Sequence, residues 1–294
     1  MDWDRLSNAV VAAALALPAC DGAPAPDKPS KPASKAAEPT AQTKPKPKPG
    51  PTPKADPNPN PEPKPDPTPK PKVAVEFTAA DGGTVHADHY PLEHGEDRPV
   101  VLLFHQAGWN AGEYEPIAPR LQALGFHAVA PDQRSGGKRD GRSNRTVDAR
   151  GKSTEYLEAY PDLEATLAWA KTQHAGPVVV WGSSYSAALV FKLASEHASD
   201  IAAVAAFSPG EYIGAKGTVA GWAEGVRAPI FVTSASGQEV QAAKAILAKS
   251  PSPNKEQHEP AQGKHGSSIL REDKNAGGTA PVWTALEAFL TSLG

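Results

Sequence analysis

Cysteine is almost missing from these 294 residues: Cys20 is the only one, and none follows it. The rest of the chain therefore has no disulfide, no thiol nucleophile and no thiolate metal site. A membrane-spanning run is missing as well, since Asn8 to Leu17 is apolar but dominated by alanine and too short to cross a bilayer. Charge of one sign is not in excess either: 30 Lys and Arg face 33 Asp and Glu, for a net of −3. The part from Val73 onward carries −6, which argues against nucleic acid as a partner. Gly151-Lys152-Ser153-Thr154 looks like the end of a P-loop, but Thr146 stands where its first glycine belongs. With no buried strand leading into it, nucleotide binding is excluded.

Proline, by contrast, is abundant and unevenly placed. Eighteen of the 32 prolines lie between Asp21 and Lys72, alternating with Lys, Ala, Asp and Glu. Such a stretch has no apolar face to bury and reads as a solvated, polyproline-II-like linker over 21–72. Residues 73–294 remain, the size of one α/β domain. Before the linker, the apolar run ends in Leu17-Pro18-Ala19-Cys20. This resembles a bacterial lipobox, in which a signal peptide over 1–20 is cut before a cysteine that receives a lipid. The resemblance implies lipidation at Cys20, a membrane partner through that lipid and a place in the bacterial cell envelope. A secreted or soluble protein is the alternative.

Within the domain, short apolar strands alternate with helical segments. Val73 to Thr78 and Thr84 to Tyr90 read as strands joined by the hairpin signal Asp81-Gly82-Gly83. His86, Asp88, His89, Glu93 and His94 crowd this hairpin, but their spacing matches no metal motif, and no metal is expected. Pro99 to Phe104 is a buried strand running into His105-Gln106-Ala107-Gly108-Trp109, followed by a helix around Glu113 to Leu124. Phe126 to Pro131 is a fourth strand, ending in Asp132-Gln133-Arg134-Ser135-Gly136-Gly137, where Asp132 and Arg134 read as a structural pair. Lys138 to Lys152 is a polar excursion, and Glu155 to His174 a long helix interrupted by Pro161. Further strands fall at Ile201 to Phe207 and Pro229 to Thr233, with helices at Glu239 to Ala248 and Val282 to Leu293.

The stretch that organises the domain is Val178 to Leu193, VVVWGSSYSAALVFKL. A fully apolar strand enters Gly182-Ser183-Ser184-Tyr185-Ser186 without a spacer, and a helix starts at once. A strand that becomes a helix through a serine flanked by small residues describes a nucleophile elbow, which makes Ser184 the candidate nucleophile. Ser186 takes the place of the last glycine of G-x-S-x-G. Near the C-terminus His265 lies between Gly263 and Gly266 in a loop before the last helix. Glycine there lets the chain hold an exposed ring over a serine. His258 is its rival; His174 and His197 end helices, and His127 begins a strand.

LFHQAGW, PDQRSGG, GSSYS and KHGSS, in this order and spacing, are similar to the motifs of small dienelactone-hydrolase-like members of the α/β-hydrolase superfamily. The resemblance covers essentially the whole domain. It implies an α/β-hydrolase fold, with a mainly parallel sheet and helices on both faces. It also implies a serine esterase that cleaves a small carboxylic ester through an acyl-serine intermediate, with no cofactor. The chain order Ser, acid, His expected of such hydrolases places Ser184 and His265. The acid is then Glu239 after the seventh strand, or Glu211 after the sixth. The oxyanion hole falls to the N–H groups of Ala107 and Tyr185. Trp109, Tyr185, Tyr212 and Trp222 are the aromatics placed to wall a pocket. A monomer is expected. The competing readings are a non-catalytic ligand-binding module on a degenerate hydrolase fold, and a small peptidase of the same fold.

Overall fold

The computed structural model describes residues 68–293 except Ser236. Cys20, the leader-like segment and the linker up to residue 67 lie outside the described residues. Residues 68–72, inside the stretch read as linker, pack on the domain. Thr68–Pro69 pairs antiparallel with Leu92–Glu93, and the Gln122 side chain donates to Lys70 O at 2.9 Å. Lys72 reaches the buried Asp88 at 3.2 Å. Contacts of the domain thus begin before the boundary at Val73 that composition suggested.

Eight strands form one sheet: β1 (Val73–Thr78), β2 (Thr84–Tyr90), β3 (Val100–Phe104), β4 (His127–Pro131), β5 (Val178–Ser183), β6 (Ala203–Phe207), β7 (Ile230–Thr233) and β8 (Lys255–His258). Their spatial order is β8-β7-β6-β5-β3-β4-β2-β1. All pairs from β4 to β8 are parallel, while β2 runs antiparallel to both β1 and β4. This is the mainly parallel α/β sheet the sequence implied. Strands β3 to β7 are buried along their whole length, because helices cover both faces, and their sequences are accordingly continuous apolar runs.

Successive residues point to opposite faces, so each strand feeds two cores. Leu102, Phe104, Val178 and Val180 join Leu163 and Leu167 of α3 (Tyr160–Gln173), Leu189 and Leu193 of α4 (Tyr185–Glu196), and Ile246 of α6 (Gln238–Lys249). Val101, Leu103, Val179 and Trp181 join Leu121 of α1 (Ala118–Ala123) with Val282, Leu286 and Phe289 of α7 (Thr279–Thr291). The remaining helices, α2 (Arg145–Arg150) and α5 (Thr218–Ala223), are short.

Two helix expectations change in detail. The segment expected as a helix over 113–124 splits into a 3₁₀ turn, Ala111–Tyr114, and α1, which carries Pro119 in its first turn. Proline has no N–H to continue a helix and suits a first turn. For the same reason Pro161 does not interrupt α3 but sits in its first turn, after a 3₁₀ turn at Leu157–Ala159. Asp132 and Arg134 are not a pair: Arg134 binds Asp162 and Asp81, whereas Asp132 accepts from Arg145 and from Ala111 N–H. Each braces a loop, to a partner that chain proximity did not indicate.

Candidate active site

β5 ends where α4 begins, and the one residue between them is Ser184, with φ 60° and ψ −121°. A side chain rarely adopts positive φ, so this backbone holds local strain of the kind found at functional turns. Its flanks explain the composition. A Cβ on Gly182 would lie 2.3 Å from Ser186 O and 2.5 Å from Ala187 N, so the helix can close on the strand only over glycine. Ser186 fits where glycine is usual, because its hydroxyl donates to His105 O at 2.6 Å and accepts from the Gln133 side chain at 2.9 Å. Ser184 N–H donates to Phe207 O at 2.8 Å, tying the turn to β6.

His265 arrives from the loop after β8. Its Nε2 lies 2.7 Å from Ser184 Oγ, and its Nδ1 lies 3.0 Å from Glu239 Oε1. The carboxylate only accepts, so Nδ1 carries the proton and Nε2 is left to accept from the serine hydroxyl. Gly266, with φ 65°, lets this loop dock. A Cβ there would stand 2.4 Å from Ser183 Oγ. Glu239 sits in the first turn of α6. Burial pushes its pKa up, but the hydrogen bond and charge of His265, with help from Ser208 and the Ala235 N–H, hold it below the usual carboxylate value.

Glu211 does not join this chain. Both of its oxygens accept backbone N–H groups at the start of α5, from Val219 at 2.9 Å and Ala220 at 3.0 Å. His258 closes β8 in register with Thr233 and makes no hydrogen bond to Ser184 among the described residues. The Tyr185 N–H lies within the elbow, and the Ala107 N–H lies in the loop after β3. Among the described residues neither donates to another protein group, and the Tyr185 N–H belongs to a helix first turn, which has no intrahelical acceptor.

His105 is fully buried. Its Nδ1 faces Gln106 O at 2.9 Å, and its Nε2 accepts from Gln133 N–H at 3.0 Å. Those two partners fix a neutral tautomer, and burial lowers its pKa, so His105 orders the loop. Of the four aromatics considered for a pocket wall, Tyr212 is 38% exposed and meets His265 edge-on at 6.4 Å between centroids. Trp109 and Tyr185 are buried, and Trp222 packs against the core. Tyr156 was not anticipated: half-buried, it stacks on Tyr185 at 4.5 Å. Glu113 was not anticipated either. It is fully buried beside Gln106 and Ser183, yet in sequence it resembles any acid near a helix start.

Among the described residues, one group of side chains is spaced closely enough for a metal ion: His89, His127 and His174. His127 is already committed through both nitrogens, accepting from Leu92 N–H at 3.0 Å and facing Gly95 O at 2.6 Å. The rings pack on one another, with His127 and His174 centroids 4.2 Å apart. The group is built as packing.

A family model described as serine aminopeptidase, S33, matches residues 95–277, more than half of the chain. No curated protein sequence matches. Among solved structures, an esterase of Pyrococcus furiosus is similar at 20% identity and TM-score 0.57, covering 76% of this chain and 93% of its own. A dienelactone hydrolase of Anabaena variabilis matches at 14% identity and TM-score 0.58, over 76% and 98% of the two chains. Est1E of Butyrivibrio proteoclasticus, solved with ferulic acid bound, matches at 15% and 0.57, over 74% and 99%. The strand order, the strained serine between β5 and α4 and the matched profile agree: this chain has an α/β-hydrolase fold and belongs to the serine aminopeptidase S33 family of hydrolases.

Proposed function

We propose that the protein is a serine esterase acting on a small carboxylic ester, with Ser184 as nucleophile, His265 as general base and Glu239 as the acid that orients it. The observation that carries this reading is the unbroken chain from Ser184 Oγ through His265 to Glu239, at 2.7 and 3.0 Å. In the first step Ser184 Oγ bonds to the acyl carbon while its proton passes to His265 Nε2. The carbonyl oxygen takes the negative charge and is received by the N–H groups of Ala107 and Tyr185. Collapse breaks the ester bond, and the leaving alcohol takes the proton from His265. Water then attacks the acyl-serine with His265 again as base, releasing the acid and restoring the serine.

The family description also raises an aminopeptidase, which needs a carboxylate free to receive a substrate ammonium. Glu239 is already the acid of the triad, and both oxygens of Glu211 are taken up by N–H groups at the start of α5, so neither is free for that role. Ester cleavage is therefore the favoured reading, in line with the structural relatives that are esterases. The test is intact mass after a fluorophosphonate, run beside turnover of p-nitrophenyl acetate and of amino-acid p-nitroanilides. A single adduct, absent from Ser184→Ala, with turnover of the ester alone is expected. No adduct and no turnover would leave the non-catalytic module standing. We also propose that Cys20 carries the lipid its surrounding sequence implies. Loss of the Cys20→Ala full-length protein from the membrane fraction tests that anchor.

A further inference from the structure

Beside the triad lies a carboxylate that the reaction does not use. Glu113 sits in the 3₁₀ turn after β3, fully buried and with no cation hydrogen-bonded to it. Its Oε2 accepts the Gln106 N–H at 2.8 Å. Its Oε1 accepts both the Gln106 side-chain amide at 2.9 Å and the Ser183 hydroxyl at 2.8 Å. The network continues outward from there. Ser183 Oγ accepts the N–H of Ser267 at 2.8 Å, and the Gln106 amide also reaches Ser268 Oγ at 3.2 Å. Gln106 precedes Ala107, Ser183 precedes Ser184, and Ser267 is two residues beyond His265.

We propose that Glu113 is a positioning residue that sets the oxyanion loop, the serine elbow and the histidine loop in register with one another. This rests on the esterase reading above. The chemistry requires a carboxylate. Three donors converge on two oxygens, and only an acceptor-only group with two oxygens satisfies all three. An amide in its place has one oxygen. The Gln106 backbone N–H cannot rotate, so that oxygen must face it, and the amide NH₂ is then set against the Ser183 hydroxyl and the Gln106 side chain. Relieving that conflict shifts the loop carrying Ala107, and oxyanion stabilisation is sensitive to such shifts. Protonation does the same by converting one acceptor into a donor. Burial pushes the Glu113 pKa up to about 7, against the pull of Gln106, Ser183 and the more distant Arg271 charge.

The test uses the full-length protein and two substitutions, Glu113→Gln and Ser183→Ala. Steady-state kinetics on p-nitrophenyl acetate are read beside amide hydrogen exchange over 105–109 and 264–270. For Glu113→Gln, kcat is expected to fall roughly 10- to 100-fold with KM within about threefold, because the lost interaction acts on the transition state. Exchange should quicken at Gln106 and Ser267 and stay unchanged in β5 and β6. Ser183→Ala, which removes the elbow's bond to Glu113 and the acceptor of Ser267 N–H but leaves the Gln106 bonds, should quicken Ser267 and not Gln106, and lower kcat roughly 5- to 10-fold. If Glu113→Gln does not fold, Ser183→Ala decides by the same criteria. A kcat within threefold of the parent, or exchange that rises evenly across the whole sheet, overturns the proposal. Should the parent fail to form a fluorophosphonate adduct, the esterase reading falls, and the exchange data alone decide whether Glu113 ties these loops together.

Discussion

The two ends of the parallel strands both hold buried titratable groups, and they use them in opposite ways. At the C-terminal end, Ser184 follows β5, Ser208 follows β6, Glu239 comes after β7 and His265 after β8. There the polar side chains reach across loops: Ser208 Oγ accepts Gly266 N–H at 3.0 Å, and Glu113 binds donors from two other segments. At the N-terminal end, His127 begins β4, His174 caps α3, and His89 lies on the neighbouring β2. These rings pack as aromatics, His89 on His174 at 5.1 Å and on Trp169 at 5.2 Å between centroids. The Nε2 atoms of His89 and His174 are buried without a hydrogen-bond partner. A displaced pKa therefore does not by itself identify the working end of this sheet. What separates the two is whether the buried polar atoms tie together the loops that carry Ser184 and His265.

The largest expected effect breaks that symmetry outright. Ser184→Ala should lower kcat/KM for p-nitrophenyl acetate by at least about 10⁴-fold. His174→Phe, at the other end, should leave it within about threefold. Equal losses would mean that the histidine cluster belongs to the chemistry. Next in size is the contrast between the two candidate acids. Glu239→Gln should cost on the order of 10³- to 10⁴-fold in kcat, since the imidazole loses the acceptor that orients it. Glu211→Gln should cost less than tenfold, and about 1 kcal/mol of stability from the weakened start of α5. The reverse ranking in kinetics would move the acid to the loop after β6.

The smallest effect is thermodynamic and has opposite signs at the two ends. Burial, with the charges of its histidine neighbours, pushes His174 from 6.5 down to about 3, and His89 down to about 4. The unfolded chain takes up these protons first, so stability from this end is fully present above about pH 6.5 and is lost as pH falls toward 4 and below. Glu113 behaves inversely. Its proton leaves the unfolded chain near 4.5 but is held in the native protein up to about 7, so rising pH withdraws stability across that window. Urea midpoints measured between about pH 4 and 8 should thus decline on both sides of a maximum. His174→Phe is expected to flatten the acid side and Glu113→Gln the neutral side. Unchanged curves would deny that these groups are buried as described.

What was legible in the sequence is what local sterics and periodicity dictate. Buried strands between helices read as continuous apolar runs, so the alternation, and with it the parallel sheet, follows from composition and order. Gly182 stands where a Cβ would meet Ser186 O at 2.3 Å and Gly266 holds φ 65°, and those local demands show as glycine at fixed distance from Ser184 and His265. Pro161 was legible as a break, but only the fold shows that it, like Pro119, sits in the first turn of a helix. Tertiary structure alone chose Glu239 over Glu211 as the partner of His265. Both are acids shortly after a strand, and the choice depends on which carboxylate meets a ring 26 residues further on. It also gave Arg134 to Asp162 and Asp81 rather than to Asp132, and set three histidines from separate elements into one packed cluster. Glu113 is the clearest case. Its donors come from Gln106, 7 residues away, and Ser183, 70 residues away, and no local pattern encodes a carboxylate that works by where distant backbone brings its partners. Sterics act between neighbours and are written in the chain; hydrogen-bond partners are chosen by the packed sheet.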